Sequence, residues 1–107
     1  GMTDAAHEPD FALTTPSDVA SDPAAVEIMR LWWSRGVPVM TLKPAFNDPT
    51  RFGEVLAQAA RHMSRVYEMQ RGMNGEDSYK AILKGLEQTL AGPEFDTLTE
   101  QPGGGAA

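Results

Sequence analysis

Side chains that could act as general bases or metal ligands are few and scattered in this sequence. It has two histidines, His7 and His62, and no cysteine. A zinc site needs three or four grouped ligands, but the two histidines lie far apart and form no His-x-x-x-His pair. A thiol nucleophile is excluded because there is no thiol. The sequence therefore predicts no metal site, no cofactor and no catalytic residue.

His62 lies inside a predicted helix, at the margin of its apolar stripe. In a cleft, such an imidazole could act as a general base or bind a ligand. The position equally fits a boundary histidine that hydrogen-bonds to backbone, which is the interpretation we favour. A ligand site would bring His62 together with Arg30 and Tyr67 in a cleft between a hairpin and the long helix. That arrangement would make the chain a small-ligand-binding protein or an enzyme.

Glycine-rich and basic segments give little support for nucleotide or nucleic-acid binding. The run from Gly72 to Gly75 joins two predicted helices instead of following a strand, and no Gly-x-Ser-x-Gly elbow occurs. Glu54 and Glu68 interrupt the basic strip of the long helix, which consists of Arg51, Arg61, Arg65 and Arg71. The formal charge of the chain is −6, whereas phosphate binding needs dense positive charge. We therefore expect no nucleic-acid partner.

A β-hairpin is predicted upstream of the helices. The run from Ala25 to Trp33 is ambiguous, because Asp22-Pro23 could cap a short helical turn while branched and aromatic residues favour a strand. Ser34-Arg35-Gly36 is typical of a turn, and a β-rich run from Val37 to Leu42 follows it. Pro38 has no N–H to donate, so the second strand is expected to start at an edge or in the turn.

Two amphipathic helices are predicted after the hairpin. Asp48-Pro49 combines a capping carboxylate with a proline suited to the first helical position, and the helix that follows is expected to end near Gly72. Its apolar stripe consists of Phe52, Val55, Leu56, Ala59, Met63, Val66 and Tyr67. Asn74 is predicted to cap a second helix whose apolar face is Tyr79, Ile82, Leu83, Leu86 and Leu90. Gly85 lies inside that helix, where glycine lowers helix stability by about 1 kcal/mol relative to alanine. Its presence there predicts a close approach by another element.

The sequence predicts one folded domain, residues 23–92, between two terminal segments. Residues 1–22 form an acidic arm that is disordered or loosely docked, and residues 93–107 form a flexible tail. All nine basic residues and five of the fifteen acids lie between Arg30 and Lys84, so a mildly basic body has acidic ends. We interpret these ends as aids to solubility.

The chain shows no export signal and no membrane-spanning run. Its first twenty residues contain no Lys or Arg and no long apolar stretch. A bilayer crossing needs ~20 apolar residues in succession, and the longest apolar runs are far shorter. With no cysteine to form disulfides, the chain is expected to be cytoplasmic.

Both faces of the predicted first strand are apolar. Because successive side chains point to opposite faces, Trp32 is expected on one face and Leu31 and Trp33 on the other. Two helices can cover one side of a hairpin, and the other side would leave a tryptophan in water. A symmetric dimer would cover it, with candidate interface residues Met29, Leu31, Trp32 and Trp33. Alternatively, the N-terminal arm folds back over the sheet through Phe11 and Leu13.

Three runs of residues occur in the order and spacing of a known family. They are Glu27-Ile28-Met29-Arg30-Leu31-Trp32, then Asp48-Pro49-Thr50-Arg51-Phe52-Gly53, then Ala60-Arg61-His62 to Tyr67. With them, residues 26–92 resemble a family of small bacterial proteins known only as a domain of unknown function. Phe52 stands where that pattern more often has Trp. The resemblance implies a bacterial, cytoplasmic protein, and it brings no activity, cofactor or catalytic residue.

The sequence thus predicts an α+β fold in which one β-hairpin packs with two amphipathic helices and a dimer completes the structure. The corresponding functional hypothesis is a small homodimeric interaction or regulatory module that binds another macromolecule.

Overall fold

The computed structural model describes residues 12–93. In chain order its elements are α1 (Ser17–Ala20), β1 (Met29–Ser34), β2 (Val37–Leu42), α2 (Thr50–Arg71) and α3 (Gly75–Ala91). The predicted α+β class is confirmed, with one antiparallel hairpin followed by two long helices. Phe11 and most of the predicted tail lie outside the described residues.

The ambiguous segment before the hairpin forms a turn and then extended chain. The Asp22 carboxylate accepts a hydrogen bond from the Ala24 N–H at 2.9 Å, and the Asp22 carbonyl accepts one from the Ala25 N–H at 3.1 Å. The chain then extends into β1 at Met29. Asp22 therefore closes a single turn, and the branched residues that follow take the strand conformation they favour. Upstream, α1 is one short turn of helix whose residues are all exposed.

A two-residue turn at Arg35 and Gly36 fixes the register of the hairpin. Ser34 pairs with Val37, and the ladder continues to Met29 opposite Leu42. Arg35 has φ 55° and Gly36 has φ 81°. Two successive positive φ angles define the type I′ turn, whose twist matches that of paired strands. One further bond, from the Lys43 N–H to the Ile28 carbonyl at 3.0 Å, extends the pairing past the last strand residue.

Helix α2 begins and ends where the sequence predicts. The Asp48 carboxylate accepts a hydrogen bond from the Thr50 N–H at 3.0 Å, which satisfies a donor that has no partner within the helix. At the other end Gly72 is left-handed, with φ 67°, and its N–H donates to the Glu68 carbonyl at 3.2 Å. This is the usual glycine stop of a helix.

Helix α3 is capped by Asn74, as predicted. The side-chain oxygen of Asn74 accepts a hydrogen bond from the Asp77 N–H at 2.9 Å. Glu76 and Asp77 add negative charge to the first turn, where the helix dipole favours it. The helix ends at Ala91, just before Gly92-Pro93. Neither long helix combines the length and apolar character needed for a bilayer crossing, and no other helix in the described part does so.

Within one chain the backbones of the hairpin and of the helix pair do not approach closely. The strands contact each other and α2 contacts α3, but no strand Cα lies within 8 Å of a helix Cα. No apolar side chain among residues 12–93 is buried; the buried residues are Ser64 and Ser78, at 2% and 4% exposure. The large apolar side chains of the hairpin therefore stay largely exposed in the single chain, Trp33 to 75% and Leu31 to 58%.

The close approach predicted at Gly85 is not found within one chain. A Cβ placed at Gly85 would meet no atom within 4 Å. The close approach instead occurs at Gly75, where a Cβ would lie 3.0 Å from an oxygen of the Glu68 carboxylate. This neighbour is the end of a side chain of α2, the helix that also carries the buried Ser64.

Candidate functional site

One face of the hairpin is made entirely of apolar residues. In the observed register this apolar hairpin face consists of Met29, Leu31 and Trp33 from β1 and of Pro38, Met40 and Leu42 from β2. Met29 is partly covered and the other five are exposed; Trp33 is 75% exposed and Leu31 58%. An exposed apolar patch of this kind is typical of an interaction surface.

The opposite face of the hairpin carries Trp32 and is more polar. The Arg30 guanidinium lies over the Trp32 ring, 5.2 Å from its centroid, and its Nε is 3.3 Å from a Glu27 carboxylate oxygen. This arrangement covers part of the ring with a charged side chain. Of the four predicted interface residues, Met29, Leu31 and Trp33 therefore share one surface, while Trp32 lies on the other.

The three candidate ligand residues lie on two different elements. Arg30 is on β1, whereas His62 and Tyr67 are on α2, and His62 is exposed. No strand Cα comes within 8 Å of a helix Cα, so the Cα of Arg30 is more than 8 Å from those of His62 and Tyr67. A cleft formed by these three residues stays a prediction.

A second uncovered apolar surface runs along α2. Leu56, Met63, Val66 and Tyr67 recur at helical spacing and are all exposed, Met63 to 50%. Phe52, one turn before Leu56, is partly covered. These five residues, called the α2 stripe below, belong to the apolar face predicted from the sequence. In a folded monomer such a face would be buried against the sheet.

A polar recess lies where α2 and α3 meet. The Arg61 guanidinium stacks over the Tyr79 ring at 3.6 Å and pairs with a Glu76 carboxylate oxygen at 3.1 Å. The Ser64 hydroxyl donates to the Arg61 carbonyl at 2.6 Å. The recess has a volume of about 410 Å³ and is lined by Arg61, Ser64, Arg65, Glu68, Asn74, Gly75 and Glu76. Two arginines and two glutamates balance in charge, so the recess has no formal preference for an anion or a cation.

Nearby, the hydroxyl of Ser78 is buried and finds no hydrogen-bond partner among the described residues. Within residues 12–93, no three His, Asp or Glu side chains are grouped as metal ligands would be. The helix pair thus offers a charged contact between helices and no arrangement typical of a metal centre.

Two features of these surfaces are not predicted from the sequence. Pro38, Met40 and Leu42 complete the apolar hairpin face, and the Arg35-Gly36 turn could have identified them, because a two-residue turn pairs Ser34 with Val37. The contact of Arg61 with Tyr79 was also missed, since the sequence places Arg61 only in the interrupted basic strip of the long helix. That contact depends on how α2 and α3 pack, and no local pattern signals it.

A solved structure from the photosynthetic bacterium Rhodopseudomonas palustrus CGA009, provisionally named a pyruvate dehydrogenase, is similar to this chain. The TM-score is 0.66 at 26% identity, over 82% of this chain and 90% of the other. No protein of curated function matches the sequence. The family model described as Domain of unknown function (DUF5076) matches residues 12–94, which include the hairpin and both long helices. The family resemblance seen in the sequence is thereby confirmed, and the chain belongs to the DUF5076 family.

Proposed function

We propose that the chain is a small homodimeric interaction or regulatory module that binds another macromolecule and acts without a catalytic step of its own. The observation that carries the proposal is the absence of any buried apolar side chain among residues 12–93. A domain gains most of its stability from apolar burial. A chain with well-capped helices and a well-formed hairpin but no core is best explained if a second copy supplies the missing cover.

The free energy gained by covering the apolar surface can be estimated from one side chain. A tryptophan buries ~200 Å², so covering the exposed part of Trp33 contributes about 4 kcal/mol as an upper bound. A folded domain has a free energy of unfolding of only ~5–15 kcal/mol. Leaving Trp33 and its apolar neighbours in water therefore gives up a large part of the stability that a domain of this size can have.

Cover by the N-terminal arm receives no support from the described part of that arm. Leu13, one of its two proposed contacts, is 97% exposed. Phe11, the other, lies outside the described residues. A second copy is therefore the better supported cover. A ligand-binding protein or enzyme built on Arg30, His62 and Tyr67 gains no specific support, because none of the three lines the recess between α2 and α3.

The test is the molar mass of the full chain by light scattering over a dilution series. We expect a mass near twice 11.6 kDa at high concentration. On dilution it should fall toward the monomer mass, together with the helical circular dichroism signal, because folding and association are linked. A chain lacking residues 2–22 should behave in the same way. A folded monomer at every concentration would contradict the proposal, and a monomer that becomes unstable only on truncation would identify the arm as the cover.

A further inference from the structure

We infer that two copies associate by exchanging hairpins, so that the apolar hairpin face of each copy covers the α2 stripe of the other. This inference rests on the proposed homodimer and adds the identity of the two surfaces that meet. It commits to one occupant for each uncovered surface, namely the complementary surface of a second copy.

The two surfaces match in length and width. Six strand residues at ~3.3 Å each give the hairpin a length of about 20 Å. The α2 stripe from Phe52 to Tyr67 spans fifteen residue steps of ~1.5 Å, or about 22 Å. Two strands ~5 Å apart form a ribbon that one helix, ~10 Å across, can cover. A single helix on a two-stranded ribbon therefore buries both apolar surfaces in one contact.

The segment between β2 and α2 favours docking on a second copy over docking within the chain. It runs from Lys43 to Pro49 and is exposed throughout. Pro44 and Pro49 restrict its backbone. The Ala45 N–H donates to the Lys43 carbonyl at 2.8 Å, and the Asp48 carboxylate binds the Thr50 N–H at 3.0 Å. The connection thus has a local hydrogen bond at each end, and no strand Cα lies within 8 Å of a helix Cα.

Hairpin exchange also gives a closed two-fold dimer with a buried area typical of a stable interface. If each exposed large side chain contributes ~100 Å², the two surfaces of one chain offer on the order of 800 Å², which is the area per partner in a standard stable complex. Two reciprocal contacts related by a two-fold axis cover both apolar surfaces of both copies. Stacking one hairpin face on another, or pairing strand edges, would leave the α2 stripe in water. Hairpin exchange is therefore favoured over both alternatives.

The absence of cysteine makes a direct test possible. Leu31→Cys places one thiol on the apolar hairpin face of one chain, and Met63→Cys places one on the α2 stripe of another, with the second chain uniformly labelled with nitrogen-15. The two chains are mixed, allowed to exchange, and treated with a bis-maleimide that spans about 10 Å, roughly one layer of packed secondary structure. Every cross-link is then intermolecular, and mass spectrometry identifies its two ends.

We expect cross-links between positions 31 and 63 at least tenfold above two references. The first reference pairs Met63→Cys with Val39→Cys, which lies on the opposite hairpin face. The second pairs it with Leu13→Cys, which is almost fully exposed and reports random collisions. Light scattering on every sample gives the oligomeric state independently of the cross-links.

The possible outcomes separate the two proposals. A dimer that forms mainly 31-to-31 cross-links would overturn the exchange and leave the homodimer standing. A dimer whose 31-to-63 yield equals that of the references would do the same. A doubly substituted Leu31→Cys, Met63→Cys chain that cross-links to itself in a monomer would overturn both proposals, because the hairpin would then dock within its own chain.

Discussion

Arg61 is the side chain that joins the two long helices most directly. It stacks over Tyr79 at 3.6 Å and pairs with Glu76 at 3.1 Å, so one residue of α2 has two contacts on α3. A partly exposed cation over an aromatic ring contributes about 0.5–1 kcal/mol, and an exposed ion pair adds less. Arg61 is therefore expected to stabilise the helix pair through its stacking more than through its charge pairing.

Replacing Arg61 with alanine should lower the free energy of unfolding by about 1–2 kcal/mol, since both the stacking and the packing of the side-chain stem are lost. Chemical denaturation at a fixed protein concentration measures this change. Arg65→Ala is the matched control, because Arg65 lines the same recess without an ion pair to either glutamate; its effect should stay within about 0.5 kcal/mol. Equal losses for the two variants would contradict the role assigned to Arg61.

At the scale of the element, the hairpin turn places an arginine in an unfavourable conformation. Arg35 has φ 55°, in the left-handed region that asparagine and glycine tolerate best. The type I′ turn is strongly preferred by Asn-Gly, and here the first position holds Arg instead. A single substitution in this turn should therefore raise the free energy of unfolding.

Arg35→Asn should raise the free energy of unfolding by about 0.5–1 kcal/mol, because asparagine accepts a positive φ with less strain. Thermal and chemical denaturation both measure the change. Arg35→Lys keeps the charge and the strain, so it should leave stability unchanged. If lysine stabilised as much as asparagine, the strain at this position could not be the cause.

The cap of α3 gives a second test at this scale. Asn74→Ala removes the oxygen that accepts from the Asp77 N–H, and it should lower stability by about 1 kcal/mol. Asn47→Ala changes an exposed asparagine that lies outside the helices, and it should have little effect. Urea denaturation of both variants checks the prediction, and a similar loss in each would rule out the cap as the source.

For the whole molecule, the two faces of the hairpin predict different consequences for assembly. Leu31 and Val39 lie on opposite faces and are similarly exposed, at 58% and 48%. Leu31→Glu puts a charge into the proposed contact and should weaken dimerisation at least a hundredfold, because a buried unpaired charge is strongly unfavourable. Val39→Glu should change the dissociation constant less than fivefold. Sedimentation or light scattering over a dilution series distinguishes the two, and equal weakening would place the contact elsewhere.

Local features of the fold could be predicted because they depend on residues close together in the chain. Asp48-Pro49, Gly72 and Asn74 set the helix boundaries through capping bonds and a left-handed stop. The hairpin follows from branched residues on either side of a turn. The family, too, could be recognised from short runs of residues, and its model matches residues 12–94.

Only the tertiary structure decided which residues act together. It placed Trp32 and Trp33 on opposite faces of the hairpin, put a close side-chain neighbour at Gly75 and none at Gly85, and stacked Arg61 on Tyr79. It also left no strand Cα within 8 Å of a helix Cα and no apolar side chain buried among residues 12–93. The physical reason is that periodicity marks a side chain as apolar but does not identify the surface that covers it. The sequence determined that these faces need cover, and the arrangement of the chain in space decided that one copy does not supply it.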